Sequence, residues 1–149
     1  MRFSGYRCSV CGGEYGESEE LYLCPKDRGC LDVVLDTGKI RRTIDPGRLV
    51  DSGGEHSLWR YLPLLPVGDP GAHGTPLRAV GCTPLYSLPA LRRDLGLKSF
   101  WLKDEGANPT ASFKDRASSL VAARAREIGA GTVVTASTGN AGAALAGMA

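Results

Sequence analysis

The sequence lacks any long apolar run. None of its 149 residues lies in a stretch that approaches the roughly 20 consecutive apolar residues needed to span a bilayer. Residues 1–6 also lack the apolar core of a secretory signal peptide. We therefore expect a cytoplasmic protein with no membrane partner.

Long basic runs are absent too. The sequence has 18 Lys and Arg against 16 Asp and Glu, a net charge of +2, and no basic run longer than the pairs at residues 41–42 and 92–93. A basic stripe is the usual footprint of a protein that binds nucleic acid or an anionic membrane. We therefore expect no nucleic-acid partner and favour a small, neutral or mildly anionic ligand.

Gly and Pro are abundant and crowd into residues 37–84. Turn signals there predict that this stretch is mostly loop, with the ordered elements on either side of it. The pattern divides the chain into a mini-domain at 1–36, a second domain that begins at residue 80, and a linker at 37–79 that packs against this second domain.

The last part of the chain alternates between strand and helix patterns. Residues 83–86 and 99–103 are typical of short strands, and helical spacing of apolar residues predicts a helix over 112–128. Residues 132–135 indicate a buried strand, and residues from Gly139 onward indicate a closely packed helix. This order predicts an α/β fold with a parallel sheet and right-handed crossovers.

The predicted helix at 112–128 has one apolar face. Ser112 and Asp115 are spaced like a capping box, which would start the helix at Ser112. The helix residues expected to form the apolar stripe are Ala117, Leu120, Val121, Ala125 and Ile128.

Cys82 precedes the first predicted strand of the second domain. We expect it to pack in the interior.

Lys114 stands near the start of this predicted helix. The positive end of the helix dipole disfavours a cation there, and Phe113 can help to shield the side chain from water. Both effects favour the neutral amine, which is the nucleophile in Schiff-base chemistry. An ordinary surface lysine is the alternative interpretation.

A second candidate site lies at residues 137–142, where the final helix opens. Free backbone N–H groups at a helix start bind anions, and Gly142 helps to let a ligand approach the backbone. A carboxylate or phosphate is the expected ligand, and an ordinary capping loop is the alternative. The residues that would hold the ligand are Ser137, Thr138, Gly139 and Asn140.

Four of the five cysteines lie in residues 1–36, beside segments 21–23 and 31–35 that fit small strands. Four thiolates bind zinc tetrahedrally. A mini-domain this small has too little hydrophobic core to be stable without a cross-link such as a bound metal. A disulfide is the alternative, although cytoplasmic proteins rarely contain one. A zinc ribbon would have two residues between the partners of the second pair, which would place the fourth ligand at Asp27 and not at Cys30. Either residue could therefore be the fourth ligand, or the site could have lost its ability to bind zinc. The predicted ligands are Cys8, Cys11, Cys24 and Cys30, with Asp27 as the alternative fourth ligand.

Residues 101–116 read Trp-Leu-Lys-Asp-Glu-Gly-Ala-Asn-Pro-Thr-Ala-Ser-Phe-Lys-Asp-Arg, and this segment resembles the cofactor-lysine segment of threonine synthases. Three further segments, 58–66, 81–85 and 136–140, are similar to the same family in the same order. The likeness covers residues 55–149, and a Cys region also occurs in some members.

The resemblance implies the tryptophan synthase β fold, fold type II of the pyridoxal-phosphate enzymes, with residues 80–149 as the start of an incomplete catalytic domain. It implies pyridoxal 5'-phosphate as the cofactor, carried by Lys114, which then shuttles protons once the substrate amine displaces it. Asn140 is similar to the Asn that hydrogen-bonds the cofactor's 3'-hydroxyl, and residues 137–140 match the loop that holds the substrate carboxylate. A homodimer is implied for a full-length protein.

The implied activity is that of a lyase of threonine biosynthesis, which converts O-phosphohomoserine and water into threonine and phosphate. One alternative is a sister enzyme of the same fold, such as cysteate synthase acting on O-phosphoserine. Another is a zinc-ribbon binding module joined to an enzyme remnant.

The sequence departs from the family pattern in two respects. Ala111 stands where the family usually has Gly, a change expected to cost little. The family's Gly-rich loop for the cofactor phosphate and the Ser or Thr that faces the pyridine nitrogen come after the position of residue 149. We therefore expect the 149-residue chain to be an N-terminal fragment that is inactive alone.

Overall fold

The fold is given by a computed structural model, which describes residues 3–19, 21–50 and 53–149. The chain forms two compact units. The first comprises Met1–Glu55, Trp59–Pro70 and Ala123–Gly131, and the second comprises His56–Leu58, Gly71–Ala122 and Thr132–Ala149. In these described ranges no helix is long and apolar enough to cross a membrane. The domain boundaries predicted after residues 36 and 79 stay predictions.

The first unit is built on a three-stranded antiparallel sheet. Strand β1 (Phe3–Cys8) lies in the centre, between β2 (Glu14–Tyr15) and β3 (Leu31–Leu35). Cys8, the last residue of β1, pairs with Leu31 at the start of β3. The sheet therefore brings Cys8 beside the end of the long connection between β2 and β3.

Of the two strands predicted in this region, only the one at 31–35 is confirmed. Residues 21–23 form a bend, and Tyr22 is 92% exposed. A run of three alternating residues buries too little surface to specify a strand without a neighbouring strand to pair with.

Two short helices and a 3₁₀ turn follow the sheet: α1 (Thr37–Thr43), α2 (Pro46–Val50) and a turn at Leu58–Leu64. The Asp36 carboxylate caps α1 by accepting from Lys39 N at 2.7 Å. Within the first unit, Trp59 is buried.

The second unit contains most of the segments that the sequence marks as functional. Its elements are α3 (Pro76–Ala79), β4 (Leu85–Ser87), α4 (Pro89–Asp94), β5 (Trp101–Lys103) and α6 (Asn140–Met148). Helix α5 (Lys114–Glu127) has residues in both units. Helices α3 and α6 contact each other, and the buried apolar residues they supply are Leu77, Ala144, Leu145 and Met148.

The predicted parallel sheet is not found among the described residues, and this expectation is wrong for this chain. Strands β4 and β5 pair antiparallel, with Leu85 opposite Lys103. Residues 132–135 form no strand, and Val134 is 86% exposed. A parallel strand needs hydrogen-bonded neighbours and cover on both faces, and the described chain places no strand beside these residues. The mixed α/β composition and helices α5 and α6 agree with the prediction.

The apolar stripe predicted on α5 is not its buried face. Val121 and Ile128 are 47% and 36% exposed. Small and polar side chains are buried instead: Asp115, Ser118, Ser119, Ala122 and Ala123. Periodicity identifies an apolar face but not the face that finds a neighbour, and small side chains permit the closer approach.

Cys82 is exposed, which corrects the expectation that it packs in the interior. It precedes β4 in a non-strand segment and has φ +49°. Its neighbour Gly81 has φ +93°, and a Cβ there would lie 2.7 Å from Leu58 N. The close approach of these two backbone segments leaves no room for a side chain at residue 81, and residues 81–84 form no strand.

Candidate functional site

Lys114 is the first residue of α5. The buried Ser112 hydroxyl accepts from Lys114 N at 3.1 Å, which holds the backbone at the helix start. The Lys114 side chain is exposed, and its Nζ lies 4.6 Å from the centroid of the Phe113 ring. The expected shielding from water is not found, since Phe113 is itself 58% exposed. The ring instead lies within cation–π distance of Nζ and leaves it accessible.

Asp115, the neighbour of Lys114, is fully buried. Its carboxylate accepts from Thr110 N at 2.8 Å and from the Thr110 hydroxyl. The predicted capping box is therefore replaced by a different arrangement, in which Asp115 reaches back beyond Ser112 to Thr110. These bonds close the turn that precedes Lys114.

Glu105 holds the rest of this segment. The Arg116 guanidinium donates to both Glu105 carboxylate oxygens at 2.7 Å, while the Thr83 hydroxyl and the Asn108 amide donate at 2.8 and 2.9 Å. The hydrogen bonds from Arg116, aided by those from Thr83 and Asn108, lower the pKa of Glu105 to about 2 against the cost of burial. Asn108 in turn accepts from Gly81 N at 3.0 Å. This network was not predicted from the sequence, in which the charged residues between β5 and α5 were the only signal.

Ala111 adopts a left-handed conformation, with φ +56°. The conformation costs a residue with a Cβ roughly 1–2 kcal/mol, so the expectation that Ala costs little here is wrong. The turn is nevertheless held by Ala111 N, which donates to Asn108 O at 2.8 Å.

We expect Ala111→Gly to raise the free energy of unfolding by about 0.5–1 kcal/mol, because Gly relieves the strain but gains entropy in the unfolded chain. Urea unfolding would measure the change. The matched control is Ala117→Gly in the interior of α5, which should lower the free energy of unfolding by about 1 kcal/mol. A destabilising Ala111→Gly would contradict the assigned backbone.

Residues 137–139 form an exposed loop that leads into α6, and Asn140 is the first residue of that helix. Gly139 is the N-cap residue and no side chain caps the helix, while the Ser137 hydroxyl accepts from Gly139 N at 3.3 Å. A Cβ on Gly139 would meet nothing within 4 Å, whereas one on Gly142 would lie 2.7 Å from Ser137 O. The loop is thus folded closely over Gly142 and open above Gly139, which suits a ligand that approaches the first N–H groups of the helix.

The two glycines make a matched pair for mutation. Gly142→Ala should lower the free energy of unfolding by about 1–2 kcal/mol, because the Ser137 carbonyl must move. Gly139→Ala should change it by less than about 0.5 kcal/mol, since the site is open and the backbone is extended. Equal urea midpoints for the two variants would contradict the described loop.

The cysteine region brings together Cys8, Cys11, Cys24 and Asp27. Their ligand atoms all lie within 4.8 Å of one another. Cys30 is exposed and is not part of this group. The structure therefore groups the alternative fourth residue, Asp27, with three of the four predicted cysteines.

Hydrogen bonds lower the pKa values of two groups in this cluster, Asp27 and Cys24. The Gly29 N–H, followed by the thiols of Cys11 and Cys24, keeps the pKa of Asp27 well below its usual value. Burial alone would raise the pKa of Cys24, but the Tyr15 hydroxyl and backbone donors lower it overall. The cluster thus favours a carboxylate and a polarised thiol side by side.

The comparisons with known proteins agree on one class of enzyme. Residues 77–149 match the family described as pyridoxal-phosphate dependent enzymes. The chain is 42% identical over 141 residues to the threonine synthase of Methanosarcina acetivorans and 40% identical over 140 residues to that of Methanocaldococcus jannaschii. Each alignment covers 94% of this chain and 33% of the relative.

A threonine synthase of Halalkalibacterium halodurans is 44% identical over 97 residues. The chain spans about a third of the length of the two archaeal relatives. No solved structure matches it. Residues 77–149, which include both Lys114 and residues 137–140, are therefore similar to the pyridoxal-phosphate dependent enzymes.

Proposed function

We propose that this chain supplies the cofactor-lysine part of a threonine synthase, which forms threonine and phosphate from O-phosphohomoserine and water. The observation that carries the proposal is the likeness to two threonine synthases over 94% of the chain. An accessible Lys114 at the start of α5 supports it, since a cofactor aldehyde must reach that amine. A homodimer and a cytoplasmic location form part of the same proposal.

The residues around Lys114 and at the start of α6 fit the part of a pyridoxal-phosphate site that they would form. An exposed primary amine, an uncapped helix start and neighbouring hydroxyl and amide donors suit an aldehyde and an anionic substrate group. When bound, the cofactor supplies an electron sink for carbanions next to the substrate nitrogen. We assign no residue of this chain to the cofactor phosphate.

Each group of this chain then has a definite task. The Lys114 Nζ would hold the cofactor, and its free amine would accept and return protons at the substrate carbons. The N–H groups at the start of α6, with Ser137 and Thr138, would bind the substrate carboxylate, and Asn140 would hydrogen-bond the cofactor's 3'-hydroxyl. Glu105 and Arg116 position the segment that carries Lys114.

The proposal is tested with a chimera in which this chain replaces the matching first third of the Methanosarcina acetivorans enzyme. Threonine and phosphate released from O-phosphohomoserine should appear with the chimera and not with the 149-residue chain alone. A folded chimera that binds pyridoxal phosphate yet forms no threonine would refute the proposal. If the chimera turns over O-phosphoserine faster than the parent enzyme does, the sister-enzyme function is favoured, because only this chain differs.

A further inference from the structure

Beyond the proposed activity, we propose that Cys8, Cys11, Cys24 and Asp27 form a structural zinc site of three thiolates and one carboxylate. Cys30 is not a ligand in this assignment. The site lies in the first unit, where Cys8 ends β1 and the other three residues lie before β2 or in the connection from β2 to β3.

The distances in the cluster match a zinc tetrahedron. Zinc bonds of about 2.3 Å to sulfur and about 2.0–2.2 Å to oxygen give edges of about 3.8 Å between sulfurs and about 3.5 Å between sulfur and oxygen. The Cys11 and Cys24 Sγ atoms are 3.7 Å apart, and Cys8 Sγ lies 3.3 Å from Asp27 Oδ1. With all four ligand atoms within 4.8 Å, the remaining edges close by a contraction of at most about 1 Å between sulfurs and about 1.3 Å between sulfur and oxygen.

The surroundings of the cluster orient its ligands as outer-shell groups do in zinc proteins. Val10 N and Cys11 N approach Cys8 Sγ at 3.3 and 3.5 Å, which suits a thiolate acceptor. Gly29 N donates to Asp27 Oδ1 at 2.8 Å, and the Tyr15 hydroxyl lies 2.9 Å from Cys24 Sγ. A metal would therefore meet ligands whose directions are already set.

The fold also explains why this region needs a stabilising metal. The described residues between β2 and β3 contain neither helix nor strand, yet Cys8 and Cys24 are 2% and 1% exposed. A bound metal would fix this connection, which has no regular secondary structure of its own to hold the two buried thiols in place. All five cysteines are free, and a Cys11–Cys24 disulfide would not include Cys8 or Asp27, which lie in the same cluster.

The test uses the 149-residue chain, purified in reductant and titrated with Zn²⁺ or Co²⁺. We expect one metal per chain, a tetrahedral thiolate–cobalt spectrum, and X-ray absorption from three sulfurs and one oxygen. Cys11→Ser and Asp27→Asn alter exposed ligands and therefore leave the buried core intact. Loss of an outer-shell group usually weakens metal binding by roughly 10–100-fold, and loss of a direct ligand should weaken zinc binding by more than that. Cys30→Ser and Cys82→Ser, both at exposed cysteines, should leave the affinity unchanged.

Two results would overturn the assignment: four sulfur ligands, or a loss of affinity in Cys30→Ser that equals the loss in Cys11→Ser. Absence of bound metal in a folded chain, judged by circular dichroism, would overturn it as well. Asp27→Cys offers a positive variant, since a fourth thiolate should bind zinc more tightly. None of these measurements depends on turnover, so their failure is separate from failure of the proposed activity.

Discussion

Replacing Lys114 with Ala in the chimera is expected to lower threonine formation by at least about 10³-fold, because no other group of the segment offers an amine at the start of α5. The visible absorbance of the bound cofactor should disappear in the same variant. Lys114→Arg should behave like Lys114→Ala, since a guanidinium stays protonated and cannot form a Schiff base. That comparison separates the need for an amine from the need for a positive charge.

The matched control is Lys98→Ala, which removes an exposed lysine of the same unit. Its turnover should stay within about twofold of the unaltered chimera, as for a surface substitution away from the site. Borohydride reduction followed by peptide mapping gives an independent readout of which lysine carries the cofactor. If label accumulates on Lys98 or Lys103 and not on Lys114, the assignment of the cofactor lysine is wrong.

Replacing Glu105 with Gln is expected to destabilise the second unit by about 1–3 kcal/mol, because four charge-assisted or neutral donors converge on this carboxylate. The loss should appear as a lower urea midpoint and faster amide exchange over residues 104–116. The matched control is Glu14→Gln, which breaks the Arg7–Glu14 pair. That pair has the same 2.7 Å contact, but its side chains are 56% and 69% exposed, so the loss should be at most about 1 kcal/mol.

The same carboxylate predicts a dependence on pH. Its pKa is lowered in the folded chain from 4.5 to about 2, mainly by Arg116, so the unfolded chain takes up a proton first as the pH falls. The stabilisation from Glu105 is complete at neutral pH and is lost between about pH 4.5 and about pH 2. The urea midpoints of the unaltered chain and of Glu105→Gln should therefore converge over this interval. A difference between the two urea midpoints that stays constant down to about pH 2 would contradict an ionised Glu105–Arg116 pair.

Much of the local chemistry could be read from the sequence because it depends on neighbours along the chain. The helix predicted over 112–128 is α5 (Lys114–Glu127), and the helix predicted after residue 139 is α6 (Asn140–Met148). Turn residues and helical spacing act over a few residues, so these elements could be predicted without tertiary contacts. The open backbone at Gly139 likewise agrees with the predicted ligand loop.

Contacts between distant residues could not be predicted in this way. The Glu105–Arg116 pair spans 11 residues, and Thr83, which joins it, lies 22 residues before Glu105. No periodic rule links such positions, since their approach depends on how β4, β5 and α5 pack. The strained conformation of Ala111 belongs to the same class, because the turn is imposed by the bonds of Asn108 and Asp115.

The sequence by itself determined the chemical groups of this protein and their order: an amine at a helix start, a Gly-rich loop before a second helix, and a cluster of thiols near the N-terminus. Only the tertiary structure decided which groups meet. It placed Asp27 and not Cys30 with the three other cysteines, and it paired β4 with β5 antiparallel. The physical reason is range, because propensity and spacing act along a few residues, whereas ligand sets, sheet pairing and burial depend on which distant segments fill the same space.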